Sequence, residues 1–273
     1  MQTVIQRAIS FVLIIACIAL SPVELRADDE MQTVLQDVTR RLTDAFETMS
    51  GRMAKSAREL QETELSGNNS DALIIIEELS GFDPAIIGCA ILSNAGEVVA
   101  IAPSNVDLRV FNTGSASSHQ FLVENMKPVF TLFASSSPGT GTIVCEYPVI
   151  KDGALLGSVS LAIKADEFIA KALSSMPKYE SCAMWIVTLN GLLMYDNDPE
   201  QIGRNIFSDN MFKSFQSLVA FTKKVVERPQ GVGKYIYFAR GYEDRTPVPK
   251  NGIWDTVSIN SLVWRIVVVK TEA

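Results

Sequence analysis

The stretch that indicates the fold most clearly is NGLLMYDNDPEQIGRNIF, residues 190–207. An Asn190-Gly191 pair between two apolar runs is among the strongest short signals for a β-hairpin. Asp198 followed by Pro199 then predicts a helical turn, with the aspartate as its N-cap and the proline at its first position. The stretch follows an apolar strand and precedes an amphipathic helix, which predicts a module that combines strands and helices.

The acidic cluster Asp196-Asn197-Asp198 in this stretch has two interpretations. A calcium loop would use these oxygens, but the glycine at the sixth place and the distal glutamate of an EF-hand are absent. The sequence favours the other interpretation, in which these side chains stabilise a turn and cap a short helix. The chain also has no CxxC and no Cys/His cluster, so we expect neither a metal site nor a cofactor.

The same order of elements occurs twice along the chain. In the first half the pattern predicts a helix at 72–79, strands at 86–92, 97–101, 128–133, 142–150 and 154–163, and helices at 119–126 and 166–173. In the second half it predicts strands at 182–189 and 192–195, a helix at 211–227, and strands at 233–239, 254–259 and 262–269. A short sequence echo at an offset of about 95 residues, between the segments that start at Cys89 and Cys182, favours a duplication.

A long helix precedes both halves. Between residues 28 and 65 apolar side chains recur at steps of three and four, and charged residues fill most other positions. Such a helix would be about 55 Å long, which exceeds the diameter of one small domain. It suits either a spine beside two stacked modules or one strand of a dimeric coiled coil.

The beginning of the chain predicts export. Arg7 precedes an apolar run from residue 8 to 20, which is too short for a bilayer span of about 20 residues but typical of a signal peptide. Three outcomes remain open: cleavage after Ala27, an uncleaved N-terminal anchor, or lipidation of Cys17. We therefore expect the protein at the periplasmic or extracellular face of the cytoplasmic membrane.

Charge and residue content exclude several classes of function. The chain has 273 residues and a net charge of −7, with its Lys and Arg residues scattered among carboxylates, so we expect no nucleic-acid partner. His119 is the single histidine, and it follows two serines in a polar loop predicted for residues 104–118, so we expect it exposed or at a helix start. No nucleophile–base pair is apparent, and we expect no catalytic residues and no enzyme.

Three cysteines lie in apolar, strand-like surroundings: Cys89, Cys145 and Cys182. Buried core thiols are the favoured interpretation, and a disulfide between Cys89 and Cys145 is the alternative.

Two sets of residues resemble the double Cache family of extracytoplasmic sensor domains. In the first half, Tyr147-Pro148-Val149, Lys151-Asp152-Gly153 and residues 156–159 are similar to the closing hairpin of a Cache module. In the second half, Asn190-Gly191, Tyr195, Asp198-Pro199 and residues 202–205 are similar to its G-x-x-x-Y, D-P and I-G-x-N run. The family's Arg-x-Trp-Tyr run is absent from residues 120–126, so the resemblance does not predict amino-acid binding by the first module.

The resemblance implies an α+β fold with a long N-terminal helix and two PAS-like modules. Each module would be an antiparallel sheet of about five strands with flanking helices. The implied division is a signal peptide or anchor at 1–27, a helical spine at 28–80, a membrane-distal module at 81–175 and a second module at 176–273. A homodimer through the N-terminal helix would also fit.

The candidate ligand-binding residues are aromatic side chains and one arginine. Tyr235 and Tyr237 alternate on one face of a strand, and aromatic walls with a few polar groups suit a small organic ligand. Arg204 could pair with a carboxylate. The full set is Arg204, Tyr195, Tyr235, Tyr237 and Trp254 in the second module, and Phe121 and Tyr147 in the first.

The sequence therefore favours an exported sensory module. It would bind a small molecule in a PAS-like pocket and signal through a partner protein at the membrane, since the chain stops directly after its last predicted strand. A structural protein that oligomerises through the long helix, with modules filled by their own side chains, is the alternative. An exported hydrolase is the third hypothesis.

Overall fold

The structure is a computed structural model that describes residues 22–66, 69–112, 115–134, 141–177, 179, 181–240 and 244–272. The apolar run of the predicted signal peptide and Cys17 lie outside these residues. The helices are α1 (Pro22–Leu60), α2 (Ser70–Ser80), α3 (Arg109–Asn112), α4 (Ser115–Asn125), α5 (Ala165–Leu173) and α6 (Gln216–Glu227). The strands are β1 (Ile86–Leu92), β2 (Val98–Ala102), β3 (Val129–Ala134), β4 (Gly141–Lys151), β5 (Ala154–Lys164), β6 (Ala183–Thr188), β7 (Leu193–Asp196), β8 (Gly231–Phe238), β9 (Pro247–Ile259) and β10 (Leu262–Thr271).

The strands form two antiparallel sheets with the same topology. The first sheet has the order β2-β1-β5-β4-β3, and the second has the order β7-β6-β10-β9-β8. Each sheet therefore places its last strand between its first and its fourth. The predicted α+β fold with two five-stranded sheets behind a long helix is confirmed, and the equal strand order agrees with a duplication.

Helix α1 is the spine that both sheets share. Its apolar residues, including Val38, Leu42 and Phe46, are fully buried, and they belong to one core with residues of both sheets. The Phe46 ring lies 5.2 Å from the Trp264 ring of β10 and 4.9 Å from the Phe168 ring of α5. The apolar stripe of α1 is thus used within the chain, as expected for a spine beside two modules.

Some boundaries differ from the sequence prediction. The predicted polar loop at 104–118 contains α3 and the first turn of α4, and α2 is capped by Asn69, whose side chain accepts from the backbone N–H groups of residues 71 and 72. The predicted helix at 211–227 is divided, because Phe215 leaves the helical conformation and packs its ring edge-on against Tyr237.

Strand β9 begins seven residues before its predicted start and contains two prolines. Pro247 and Pro249 pair with β8, but the pairing of β9 with β10 ends at Lys250. The proline segment therefore extends past β10 and has a neighbouring strand on one side, which is where a strand tolerates residues without an N–H donor.

We predict that Cys89 and Cys145 stay reduced when the protein is purified without reductant. Both pair with Leu161 on opposite sides of β5, so two strand spacings, roughly 9.6 Å, separate them, beyond the reach of a disulfide. Both thiols are buried and free. Titration of thiols in denaturant should detect both, and a loss of these two thiols with a matching disulfide mass would contradict the prediction.

We also predict that Phe46→Ala destabilises the protein by about 3–5 kcal/mol, because it leaves a cavity between the spine and both sheets. The measurement is equilibrium unfolding in urea. Phe121→Ala is the control, since 45% of Phe121 is exposed on α4 and its removal should change stability by about 0.5 kcal/mol or less. Equal losses in the two variants would contradict the role assigned to the spine.

Candidate functional site

A cavity of about 1110 Å³ lies against one face of the second sheet. Its floor is formed by β6, β8, β9 and β10, and its other walls by the segment that follows β7 and by residues of the region that leads into α6. This volume is large enough for a drug-sized organic molecule. The same face of the sheet is closed elsewhere, so the cavity is confined to one end.

Three glycines, Gly231, Gly233 and Gly252, explain why the rest of this face is closed. A Cβ atom at Gly231 would lie 2.3 Å from the Trp254 ring, and one at Gly252 would lie 2.7 Å from the Phe221 ring of α6. The glycine row thus lets the two rings sit directly on the backbone of the sheet. Trp254 is held further by an indole N–H that donates to the Arg228 carbonyl at 3.0 Å. Trp254 is therefore packed between α6 and the sheet.

The cavity floor beyond the glycine row is aromatic. Tyr235 and Tyr237 alternate on β8, both are buried, and both line the cavity with Trp185 of β6. The Trp185 indole N–H donates to the Tyr235 hydroxyl at 3.4 Å. Burial raises the pKa of Tyr235 well above its ordinary value, so its hydroxyl stays neutral and can donate to or accept from a ligand.

Two ionisable groups of opposite charge also line the cavity. Asp196 ends β7, and burial raises its pKa to about 7, while the backbone N–H of Asp198, which donates to it, and the charge of Lys250 oppose that shift. Lys250 lies on β9, directly opposite Tyr235 in register, and burial lowers its pKa while the charge of Asp196 opposes the change. The cavity therefore presents a positive and a negative group beside its aromatic floor.

The segment after β7 forms one wall through the turn that the sequence predicted. The Asp198 side chain accepts from the backbone N–H of Glu200 at 3.1 Å and from the Gln201 amide at 3.2 Å, and Pro199 begins a 3₁₀ turn. The predicted cap is thus confirmed.

Among the described residues, no group of three or more His, Cys, Asp or Glu side chains could hold a metal ion.

The predicted ligand-binding residues are divided among different places. Tyr235 and Tyr237 meet at the cavity. Arg204 lies outside the lining, where its guanidinium donates to the Glu200 carbonyl at 2.7 Å and pairs with Asp209 at 3.1 Å. Trp254 packs under α6, and Tyr195 packs against the core that includes α1. In the first sheet, Phe121 is exposed on α4, and Tyr147 is buried with its hydroxyl against that of Ser50 on α1.

Trp185 and Lys250 were not predicted from the sequence, and Asp196 was assigned to a turn in preference to a calcium loop. Alternation along β9 could have placed Lys250 on one face, but its position opposite Tyr235 depends on the register between strands. Only the pairing of β9 with β8 and of β7 with β6 brings these side chains to one cavity.

In the first sheet the corresponding face carries a buried polar cluster. Only 6% of His119, on α4, is exposed, which corrects the expectation of an exposed histidine. Its Nδ1 atom lies 2.5 Å from Glu146 Oε1, and its Nε2 atom lies 3.1 Å from the Asn94 carbonyl. Ser158 donates to the same glutamate oxygen at 2.6 Å. The helix, the turn after β1 and the sheet are thus joined by side chains of the chain itself.

One edge of the cavity is bonded to α1. Glu30 accepts from the Ser181 hydroxyl at 2.6 Å and from the Lys270 ammonium at 2.8 Å, and both of these residues also line the cavity. A change in the cavity wall can therefore reach the beginning of α1 through two contacts.

Among the described residues, no helix is both long enough and apolar enough to cross a membrane.

The comparisons with known proteins point to sensor domains. Residues 44–165 match the sequence model of a family described as HK/GC/chemotaxis protein-like, sensor domain. None of the curated protein sequences compared with this chain is similar to it. The matched family consists of sensor domains, which favours a protein that is not an enzyme.

Solved structures share the fold at low sequence identity. An extracellular ligand binding receptor from Desulfohalobium retbaense is 22% identical with a TM-score of 0.63; the match covers 88% of this chain and 40% of that one. The ligand-binding domain of the Pseudomonas aeruginosa amino acid chemoreceptor PctC, in complex with GABA, is 11% identical with a TM-score of 0.63. The match covers 89% of this chain and 99% of that domain. The ligand-binding domain of the Pseudomonas fluorescens chemoreceptor CtaA, in complex with L-isoleucine, is 10% identical with a TM-score of 0.61. The match covers 92% of this chain and 94% of that domain. The fold is therefore that of ligand-binding domains of receptors.

We predict that Asp196→Asn removes a pH dependence of stability between about pH 4 and 7. The folded-state pKa of Asp196, about 7, lies above the ordinary value of 3.8. The folded protein therefore binds more protons in this window, and its stability falls as the pH rises, by at most about 1.4 kcal/mol per pH unit for one proton. Asparagine keeps the acceptor for the Asp198 N–H but cannot ionise.

Urea unfolding of both proteins at a series of pH values gives this slope. The variant should be the more stable of the two at pH 8, and the difference should shrink as the pH falls to 4. Asp152→Asn, in the exposed turn between β4 and β5, is the control and should leave the slope unchanged. Parallel pH curves for wild type and Asp196→Asn would contradict the burial of this carboxyl.

Proposed function

We propose that this chain is an exported sensory module of the double Cache type. It binds a small organic ligand in the cavity of the second sheet and signals through a partner protein at the membrane. The observation that carries this proposal is the cavity itself, with an aromatic floor and side chains of both charges. A pocket with these features is what recognition of a small organic molecule requires. The proposed modules are residues 81–175 and 176–273, behind a spine at 28–80.

The cavity also distinguishes between the hypotheses. A purely structural protein would fill both modules with its own side chains, as the first sheet does around His119 and Glu146. The second sheet instead leaves about 1110 Å³ beside Tyr235, Asp196 and Lys250, although these polar groups cost free energy to bury. That cost is easier to understand if the groups serve a ligand. Tyr235 and Tyr237 are the predicted site residues that we retain for this cavity.

The proposed route of the signal runs from the cavity to α1. A ligand that draws the end of β10 or the segment at Ser181 inwards would change the two contacts of Glu30. Each exposed ion pair or hydrogen bond of this kind contributes only about 0.2–1 kcal/mol. A modest difference in ligand affinity between two positions of α1 would therefore be enough to shift their populations. The predicted export, membrane partner and homodimer are parts of this proposal.

The test is thermal unfolding of the purified protein with a panel of carboxylates, amino acids, amines and purines, together with mass spectrometry of co-purifying small molecules. A ligand at 100 times its Kd should stabilise the protein by about 2.7 kcal/mol, which is roughly 5–10 °C for a chain of this size. Ala183→Trp, which fills the cavity from β6, should abolish the shift.

Ala154→Trp is the matched control, because Ala154 is exposed at the end of the first sheet's hairpin, far from the cavity lining. It should keep the full shift. The absence of any co-purifying compound and of any stabilisation would count against the sensory function. A shift that persists in Ala183→Trp would place the ligand elsewhere.

A further inference from the structure

Lys250 is a buried lysine on the floor of the cavity. Only 7% of it is exposed, and its neighbours in register are Tyr235 on β8 and Thr271 on β10. Lysine is almost never buried to this extent unless its ammonium is paired. The partners of this ammonium therefore decide what the site is for.

Among the described residues, the Lys250 ammonium has few hydrogen-bond acceptors. Its one hydrogen bond among them is a long one, 3.4 Å to the Ala239 carbonyl, and no carboxylate of the described chain lies within ion-pair distance. An ammonium has three donors, and the alternative cavity lysine, Lys270, is already paired with Glu30. The remaining donors of Lys250 have no acceptor among the described residues and are available to a ligand in the cavity.

The remaining charge around the cavity is negative. Asp196, Asp198, Glu200 and Asp244 line it, whereas the further lining cations are Lys270, which is paired with Glu30, and Arg240, which lies near Asp244. One anionic group of a ligand can be compensated at Lys250. A second anionic group would face carboxylates, which disfavours binding by repulsion in a partly desolvated site.

On the basis of the proposed function, we infer that the ligand is a small organic monoanion whose carboxylate-sized group binds the Lys250 ammonium. The aromatic side chains of Tyr235, Tyr237 and Trp185 contact its less polar body. Asp196 accepts a hydrogen bond from a hydroxyl group where the ligand carries one. The cavity discriminates against neutral amides, amines without an anionic group, and dianions.

The test uses compounds that share an apolar body and carry polar groups of different charge. Phenylacetate (a monoanion), phenylacetamide (a neutral amide), phenethylamine (a cation) and phenylsuccinate (a dianion) share a phenyl ring. A second series with the same four charge types replaces the ring by a short alkyl chain and tests narrower ligands. Binding is measured by calorimetry and by thermal shift, alongside the charge of any co-purifying molecule. We expect the monoanions to bind roughly 10- to 100-fold more tightly than the amides, because a charge-assisted hydrogen bond is lost in the amide.

Lys250→Met keeps the length of the side chain and removes its charge, so it should abolish the preference for monoanions. Lys250→Arg keeps the charge and should retain the preference, which separates charge from packing. Lys234→Met is the matched control, since Lys234 is exposed on β8 and paired with Glu272 outside the cavity. It should bind every compound as the wild type does.

Two further outcomes have different meanings. Equal binding of monoanions and amides, or a native ligand that is neutral or cationic, would overturn the role of Lys250 and leave the sensory function standing. If no compound binds and none co-purifies, the sensory function fails and the inference fails with it. Unchanged monoanion binding in Lys250→Met would show that water alone solvates this lysine.

Discussion

The packing of Phe46 against Trp264 and Phe168 is the contact on which the rest of the structure depends. These three rings bring α1, the second sheet and a helix of the first half together in a single core. Neither sheet could bury this face by itself, because a sheet needs a second layer to cover its apolar side. The spine supplies that layer for both, so the positions of the two sheets are coupled through one helix.

The opposite face of the second sheet shows how a cavity arises from small residues at defined places. At one end, Gly231 and Gly252 let the rings of Trp254 and Phe221 approach the backbone, and the layer between sheet and helix is filled. At the other end the sheet carries Tyr235, whose ring still packs against Phe221 of α6 with centroids 4.8 Å apart, and Lys250, and both side chains border the cavity. The boundary between packed core and open cavity follows this change in side-chain size.

The two sheets have the same strand order but different contents. In the first sheet, the His119 ring and Ser158 both hydrogen-bond to Glu146 under α4, so these three side chains have partners from the chain. In the second sheet, the polar groups Asp196 and Lys250 border open space. A duplicated architecture thus combines one module with a hydrogen-bonded polar cluster under its helix and one whose polar groups border a cavity, and Glu30 bonds the second of these to the spine.

The amino-acid sequence by itself determined the local structure of this protein. The hairpin at Asn190-Gly191, the cap at Asp198 and the alternation of Tyr235 with Tyr237 depend on near neighbours in the chain, and these features could be predicted. The spine could also be predicted, because its apolar period is regular. The proline-containing start of β9 could not, since its tolerance depends on where β10 ends.

Only the tertiary structure decided which side chains meet at the cavity. Asp196 and Lys250 are far apart in sequence, and their proximity depends on strand register, which a pattern of apolar and polar residues leaves open at the end of a sheet. Arg204 illustrates the same limit, because its carbonyl and carboxylate partners lie in its own loop and not in the cavity. Local propensity acts over a few residues, whereas a binding site is assembled by long-range pairing and packing.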